Sequence, residues 1–112
     1  MKIIEEKIGE IIVLVVNTDR ATLNDSEEMK SLMLKYIDAN YLKFVIDISA
    51  CEFIDSTFLG VLVSALKSIH KKNGQLKLVG FKKGVRVMFE LTRMFNVFDT
   101  HTDLREALSS FG

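Results

Sequence analysis

The sequence predicts one α/β domain spanning residues 1–112, with a mixed, mostly parallel sheet of about five strands and about four helices. Short apolar runs typical of strands alternate with segments whose apolar residues recur at helical spacing. The first two runs are separated only by Gly9-Glu10, which predicts a hairpin. The hydrophobic fraction of 48% and the absence of proline and of low-complexity segments favour one well-formed core. The predicted element order is ββαβαβαβα.

The N-terminal hairpin is predicted from Ile3–Ile8 and Ile11–Val16. The second run is apolar at every position, so we expect a strand that is covered on both faces of the sheet. A helix then follows a polar loop. Asp25 is predicted as its N-cap, with Glu28 completing a capping-box-like pattern. The apolar stripe of this helix consists of Met29, Leu32, Met33, Tyr36 and Ile37.

The middle of the chain reads as a strand, a short link and a helix. The strand is Leu42–Ile48, the link is Ser49–Asp55, and the helix covers roughly 57–72. Asn73-Gly74 ends the helix, because both residues tolerate the left-handed conformation common at helix C-termini. The core face of this helix is predicted to hold Leu59, Leu62, Val63, Leu66 and Ile69.

The C-terminal part continues the alternation. Leu76–Val79 is predicted as a buried strand, Val97-Phe98 as a short edge strand, and residues 103–110 as the last helix. Between the two strands, residues 83–94 form a helix whose predicted core face is Val85, Met88, Leu91 and Phe95. Strands joined by right-handed helical crossovers lie parallel, which makes the later part of the sheet parallel.

The composition indicates the cellular compartment and restricts the kinds of partner that the protein could bind. Cys51 is the only cysteine, so an internal disulfide is impossible and a reducing cytoplasm is expected. The longest aliphatic run, Ile11–Val16, is too short to insert into a membrane, and Glu5 and Glu6 stand where a signal peptide would be apolar. The segment 67–93 carries eight basic residues against Glu90 alone. This excess of positive charge has two interpretations. The basic residues could form a surface that binds an acidic partner or nucleic acid, or they could simply lie on solvated helix faces. Without a recognition motif we favour solvated faces and expect no direct nucleic-acid contact.

Enzymatic chemistry finds little support in the sequence. His70 and His101 have no cysteine or carboxylate at metal-ligand spacing, so no metal or other cofactor is expected. Cys51 has no recognisable base beside it, and a small buried thiol is the favoured interpretation. Asp47 and Asp55 could form a carboxylate pair only with a substrate pocket. We therefore assign no catalytic residue and expect a protein that is not an enzyme.

The turn Asp55-Ser56-Thr57 is the most informative segment. It places two hydroxyls where a helix begins, and the first amides of a helix have no partner inside it. Ser56 could serve simply as the N-cap. The same free amides and the helix dipole also favour an anion, including a phosphate on that hydroxyl. Both interpretations remain open at this point.

The residues around this turn resemble the STAS domain family. Residues 45–49 (Val-Ile-Asp-Ile-Ser), 53–57 (Phe-Ile-Asp-Ser-Thr) and 59–62 (Leu-Gly-Val-Leu) look like the family's strand, turn and helix signature. The resemblance extends over nearly the whole chain. It implies an anti-sigma factor antagonist that binds a serine kinase, itself the anti-sigma factor. It further implies that phosphorylation of Ser56, with Thr57 as second choice, causes release.

The resemblance also implies a partner surface and raises two departures from the family pattern. The partner-binding residues would be Thr22, Asn24, Asp55, Ser56, Thr57 and Phe58, in a monomer or weak dimer. Phe58 replaces a common glycine and is expected either as an exposed interface anchor or as a core residue. Thr22 stands where many members have an aspartate, and Asp19, Asn24 and Asp25 are candidates to replace that carboxylate.

Two other functions stay open. The chain could be a STAS accessory subunit of a larger signalling or membrane-transport complex, with no working phosphorylation switch. A small enzyme using Asp55 and Ser56 is the third possibility, and it predicts a deep pocket at that turn.

Overall fold

The computed structural model describes residues 2–111. In chain order its elements are β1 (Ile3–Ile8), β2 (Ile11–Val16), β3 (Arg20–Ala21), α1 (Leu23–Asp38), β4 (Lys43–Asp47), β5 (Phe53–Ile54), α2 (Ser56–Lys71), β6 (Gln75–Val79), α3 (Lys83–Leu91), a 3₁₀ turn (Met94–Asn96), β7 (Asp99–His101) and α4 (Leu104–Ser109). Five of the strands form one sheet in the order β1-β2-β4-β6-β7.

The main sheet is mixed, as predicted. β1 and β2 form the antiparallel hairpin, with Ile3 opposite Val16 and Ile8 opposite Ile11. The pairs β2–β4, β4–β6 and β6–β7 are all parallel. The predicted α/β class, with about five strands in the main sheet and four helices, is therefore confirmed.

Helices cover both faces of the sheet, which explains the apolar run of β2. Leu14 packs in the larger core with α1, α2 and α3, whereas Val13 faces the opposite side and packs with Ala107 of α4. Both side chains are fully buried. Successive residues of a strand point to opposite faces, so a strand between two helical layers has no polar face to show.

The start of α1 differs from the prediction. Thr22 is the N-cap, and Asp25 is the third helical residue. The Asp25 carboxylate accepts a hydrogen bond from the Thr22 backbone N–H at 2.9 Å. The prediction of Asp25 as N-cap, with Glu28 completing the box, was therefore wrong by one helical turn. The pattern Thr22-x-x-Asp25 is itself a capping-box sequence, with a shorter acid than the usual glutamate.

Two predictions near the C-terminus were also wrong. α3 ends at Leu91, because Arg93 adopts a left-handed conformation with φ of 60°. Leu91 is 80% exposed, and Phe89 takes the predicted core position instead. The edge strand is β7 at Asp99–His101, and Phe98 is buried just ahead of it.

His101, in the edge strand β7, contacts carboxylates of both β7 and α4. Its Nε2 lies 3.1 Å from an Asp99 carboxylate oxygen, and its Nδ1 lies 3.0 Å from a Glu106 oxygen. The Glu106 carboxylate also accepts a hydrogen bond from the Thr102 hydroxyl at 3.1 Å. The Thr102 hydrogen bonds, followed by the contact with His101, hold the pKa of Glu106 below its ordinary value.

Glu106 should therefore add stability that depends on pH. A carboxyl whose pKa is lowered by folding stabilises above its ordinary pKa of 4.5, and this contribution is lost as the pH falls through the folded value. Glu106→Gln is expected to lower the melting temperature slightly at neutral pH, and the difference should vanish in acid. Thermal melts followed by circular dichroism test this, with the exposed Glu90→Gln as control. A difference that stayed constant down to acidic pH would contradict the interpretation.

Candidate functional site

The central helix α2 begins one residue earlier than predicted. Asp55 is its N-cap, and the Asp55 Oδ1 accepts a hydrogen bond from the Phe58 backbone N–H at 2.8 Å. Ser56 is the first helical residue, so the interpretation of Ser56 as the cap was wrong. Since the Asp55 side chain caps α2, the Ser56 hydroxyl is not needed as the N-cap.

Ser56 and Thr57 both lie on the surface. Their backbone amides belong to the first turn of α2, and neither has a hydrogen-bond acceptor among residues 2–111. Unpaired amides at the positive end of a sixteen-residue helix attract an anion. The start of α2 thus offers an accessible hydroxyl beside two free donors.

Asp55 also joins the starts of the two long helices. Its second oxygen, Oδ2, accepts a hydrogen bond from the Leu23 backbone N–H at 3.0 Å, in the first turn of α1. Leu23 follows the N-cap Thr22 and precedes Asn24, so the start of α1 lies beside the start of α2. One carboxylate therefore caps α2 and satisfies a free donor of α1.

A small sheet that the sequence analysis missed brings these two segments together. β3 and β5 pair in parallel, with Ala21 opposite Ile54. Just beyond them, the Asp55 backbone N–H donates to the Ala21 carbonyl at 3.0 Å. Each strand has only two residues, too few to show an alternating pattern, so no sequence signal predicted this pairing.

Phe58 is fully buried within the larger core. Of the two alternatives for this departure from the family pattern, the exposed interface anchor is wrong and the core residue is confirmed. Phe58 therefore cannot contact a partner directly. Because Phe58 is buried, the smaller polar side chains of Ser56 and Thr57 form the surface at the start of α2. The Phe58 ring does not cover Ser56.

The three candidates to replace the family's aspartate, Asp19, Asn24 and Asp25, differ in their exposure to solvent. Asp25 is 2% exposed, since it holds the N-terminus of α1 and lies 3.6 Å from Lys2 Nζ. It is therefore not available to a partner, whereas Asp19 and Asn24 are exposed. Leu23, 58% exposed, is a surface residue that the sequence analysis missed. Recognising the Thr22-x-x-Asp25 box would have placed Leu23 in the first turn of α1.

A groove of about 390 Å³ runs between α1 and α2. It is lined by Lys30, Met33, Leu34, Ile37, Thr57, Gly60, Val61, Ser64, Ala65 and Ser68. Its lining includes Thr57 but neither Asp55 nor Ser56.

Within residues 2–111, no three histidine, cysteine or acidic side chains are grouped to hold a metal ion. Over the same range no helix is long and apolar enough to span a bilayer.

Cys51 lies just before the turn and is fully buried, as predicted. Burial, followed by the nearby charge of Asp25, raises the pKa of its thiol from 9.0 to about 11. The thiolate fraction at neutral pH is then about a hundredfold lower than for a free thiol, and thiolate is the reactive form. We expect Cys51 to react with Ellman's reagent much more slowly in the native protein than in urea. Equal rates in both states would contradict this prediction.

Fold and site together define a small α/β domain whose distinctive surface is the shared start of two helices. Comparison with known proteins agrees with this class. Residues 3–107 match the STAS domain family, and the chain belongs to that family. A Thermotoga maritima protein named "Putative anti-sigma factor antagonist" is 27% identical over 101 residues, which cover 90% of this chain and 89% of the relative.

Solved structures share the fold. A crystal structure of a Thermotoga maritima protein with the same description has a TM-score of 0.87 at 23% identity, covering 96% of this chain and 92% of that one. The Bacillus cell fate determinant SpoIIAA, in its phosphorylated form, has a TM-score of 0.76 at 15% identity, covering 96% of both chains. Its unphosphorylated form has a TM-score of 0.74 at 13% identity, covering 93% of this chain and 91% of that one.

Proposed function

We propose that this chain is an anti-sigma factor antagonist. In this proposal it binds a serine kinase that acts as the anti-sigma factor, and phosphorylation of Ser56 ends the binding. The observation that carries the proposal is the exposed Ser56 at the first position of α2, with Asp55 rather than Ser56 acting as the cap. The names of the Thermotoga maritima relatives support the class, and the two forms of SpoIIAA show that this fold occurs with and without phosphate.

The start of α2 can hold a phosphate without unfolding. A phosphoserine adds about −1.5 to −2 charges at neutral pH, together with three acceptor oxygens. The free amides of Ser56 and Thr57 are nearby donors, and the helix dipole has the favourable sign. Asp55 already accepts hydrogen bonds from Phe58 and Leu23, so its negative charge is partly compensated before phosphate arrives.

The same charge would oppose a docked partner. The proposed docking surface combines the exposed Leu23 and Asn24 of α1 with Ser56 and Thr57 of α2. In the unmodified chain the Asp55 carboxylate at this junction already accepts hydrogen bonds from two backbone amides, those of Leu23 and Phe58. A phosphate at its centre brings a strongly hydrated charge into a surface that would be desolvated in the complex. Such a charge costs binding free energy unless the partner supplies a cation.

Phosphate mapping tests the site. The wild-type chain, Ser56→Ala and Thr57→Ala are each incubated with the cognate serine kinase and ATP, and the phosphate is located by mass spectrometry. We expect modification at Ser56 in the wild type and in Thr57→Ala, and none in Ser56→Ala. Modification at Thr57 alone, or no modification by any cognate kinase, would overturn the proposed switch and favour an accessory subunit that docks constitutively.

A further inference from the structure

One exposed face of α1 carries a symmetric sequence pattern. Leu23, Glu27, Lys30 and Leu34 follow one another at spacings of four, three and four residues, which places them on one stripe of the helix. All four side chains are exposed, and the two leucines are 58% and 53% exposed. In a pair of packed helices, residues at this spacing of four, three and four face the partner helix.

The stripe is complementary to itself when its direction is reversed. Read backwards, the order Leu-Glu-Lys-Leu becomes Leu-Lys-Glu-Leu, so a leucine meets a leucine and each charge meets its opposite. An antiparallel copy centred between Glu28 and Met29 would set Leu23 opposite Leu34 and Glu27 opposite Lys30, each contact occurring twice. A two-fold axis requires this kind of self-complementary surface.

We infer that α1 packs antiparallel against α1 of a second copy of this chain. Neither Glu27 nor Lys30 forms an ion pair inside the part of the chain described, so both are free to pair between copies. The groove beside the stripe, about 390 Å³ in volume, can receive side chains of the second helix. Gly60 and Ser64 of α2 line that groove next to Leu34, and their small side chains allow an apolar residue of the second copy to approach closely.

The resulting dimer is weak and reversible. A seam of two leucine contacts and two exposed ion pairs is smaller than the interfaces of stable dimers. This inference does not rest on the proposed kinase switch, yet the two surfaces meet. The Leu23 backbone donates to Asp55, next to Ser56, so the dimer covers part of the proposed docking surface. A kinase docked there would compete with the second copy.

Charge reversal tests the pairing with little risk to the fold, because both residues are exposed. Sedimentation velocity over a concentration series gives the dimer dissociation constant of the wild type, Glu27→Lys, Lys30→Glu and the double variant. Each single change turns two attractive contacts into two repulsive ones, so each should weaken the dimer about tenfold. The double variant exchanges the two charges and should restore wild-type affinity. Glu6→Lys, an exposed charge on β1 away from the stripe, is the control and should leave the constant unchanged.

Three outcomes would overturn the inference. The wild type could remain monomeric at the highest concentration reached, the single variants could dimerise as well as the wild type, or the double variant could fail to recover. Circular dichroism of each variant shows that the helices are intact. The result is separable from the proposed function, because the measurement uses neither kinase nor phosphate.

Discussion

Replacing Phe58 with alanine is expected to lower the free energy of unfolding by about 3–5 kcal/mol, the usual cost of truncating a buried phenylalanine. The side chain is fully buried in the larger core, so its removal loses apolar contacts and leaves a cavity at the start of α2. Urea denaturation followed by circular dichroism measures the change. A small domain has only about 5–15 kcal/mol of stability in total, which makes this a large fraction.

Phe53→Ala is the matched control for Phe58. Phe53 is 43% exposed and lies under the Arg20 guanidinium at 4.7 Å from the ring centroid. Its truncation should cost about 1 kcal/mol or less, since little buried area is lost. Equal losses for the two variants would contradict the assignment of Phe58 to the core. Folded Phe58→Ala should also keep Ser56 accessible, because the ring does not form the surface.

Asp55→Ala is expected to lower the free energy of unfolding by about 2 kcal/mol, at the upper end of the range for a lost N-cap. The reason is the double role of this carboxylate, which accepts hydrogen bonds from Phe58 at 2.8 Å and from Leu23 at 3.0 Å. Asp55→Asn keeps one carbonyl oxygen that can still cap α2, so its loss should be smaller than that of alanine.

Asp103→Ala is the matched control for Asp55. Asp103 caps α4 through a single hydrogen bond from the Glu106 backbone N–H at 2.9 Å. Its loss should cost about 1 kcal/mol, typical of an ordinary cap. If Asp55→Ala cost no more than Asp103→Ala in the same denaturation experiment, the link between the two helix starts would contribute nothing to stability.

Periodicity predicted the elements that pack in the core and that are long enough to show a pattern. The stripe of α1 and the unbroken apolar run of β2 were read correctly, because burial on one helix face or on both sheet faces leaves a regular trace. The boundaries of α2 and β6 were predicted to within one residue. The resemblance around Asp55-Ser56 indicates the STAS family, and the family match over residues 3–107 confirms it.

The wrong or missing predictions lie where a specific contact, rather than a periodic pattern, decides the structure. Thr22 and Asp25 both fit a cap, and the choice depended on a hydrogen bond that the sequence does not show. Leu91 fitted the helical spacing of α3, but Val85 and Phe89, four residues apart, form its buried face, and Leu91 is 80% exposed. The β3–β5 pairing joins segments distant in sequence, and this contact makes Leu23 part of the site.

The affinity of the cognate kinase for this chain before and after phosphorylation at Ser56 tests the proposed switch most directly. Isothermal titration calorimetry on the wild type, Ser56→Ala and Ser56→Asp gives the comparison, and Ser109→Asp, on the opposite face of the sheet, controls for added charge. We expect Ser56→Ala to bind like the unmodified wild type, and the phosphorylated protein and Ser56→Asp to bind at least about tenfold more weakly. Equal affinity of Ser56→Ala, Ser56→Asp and the phosphorylated chain would contradict it.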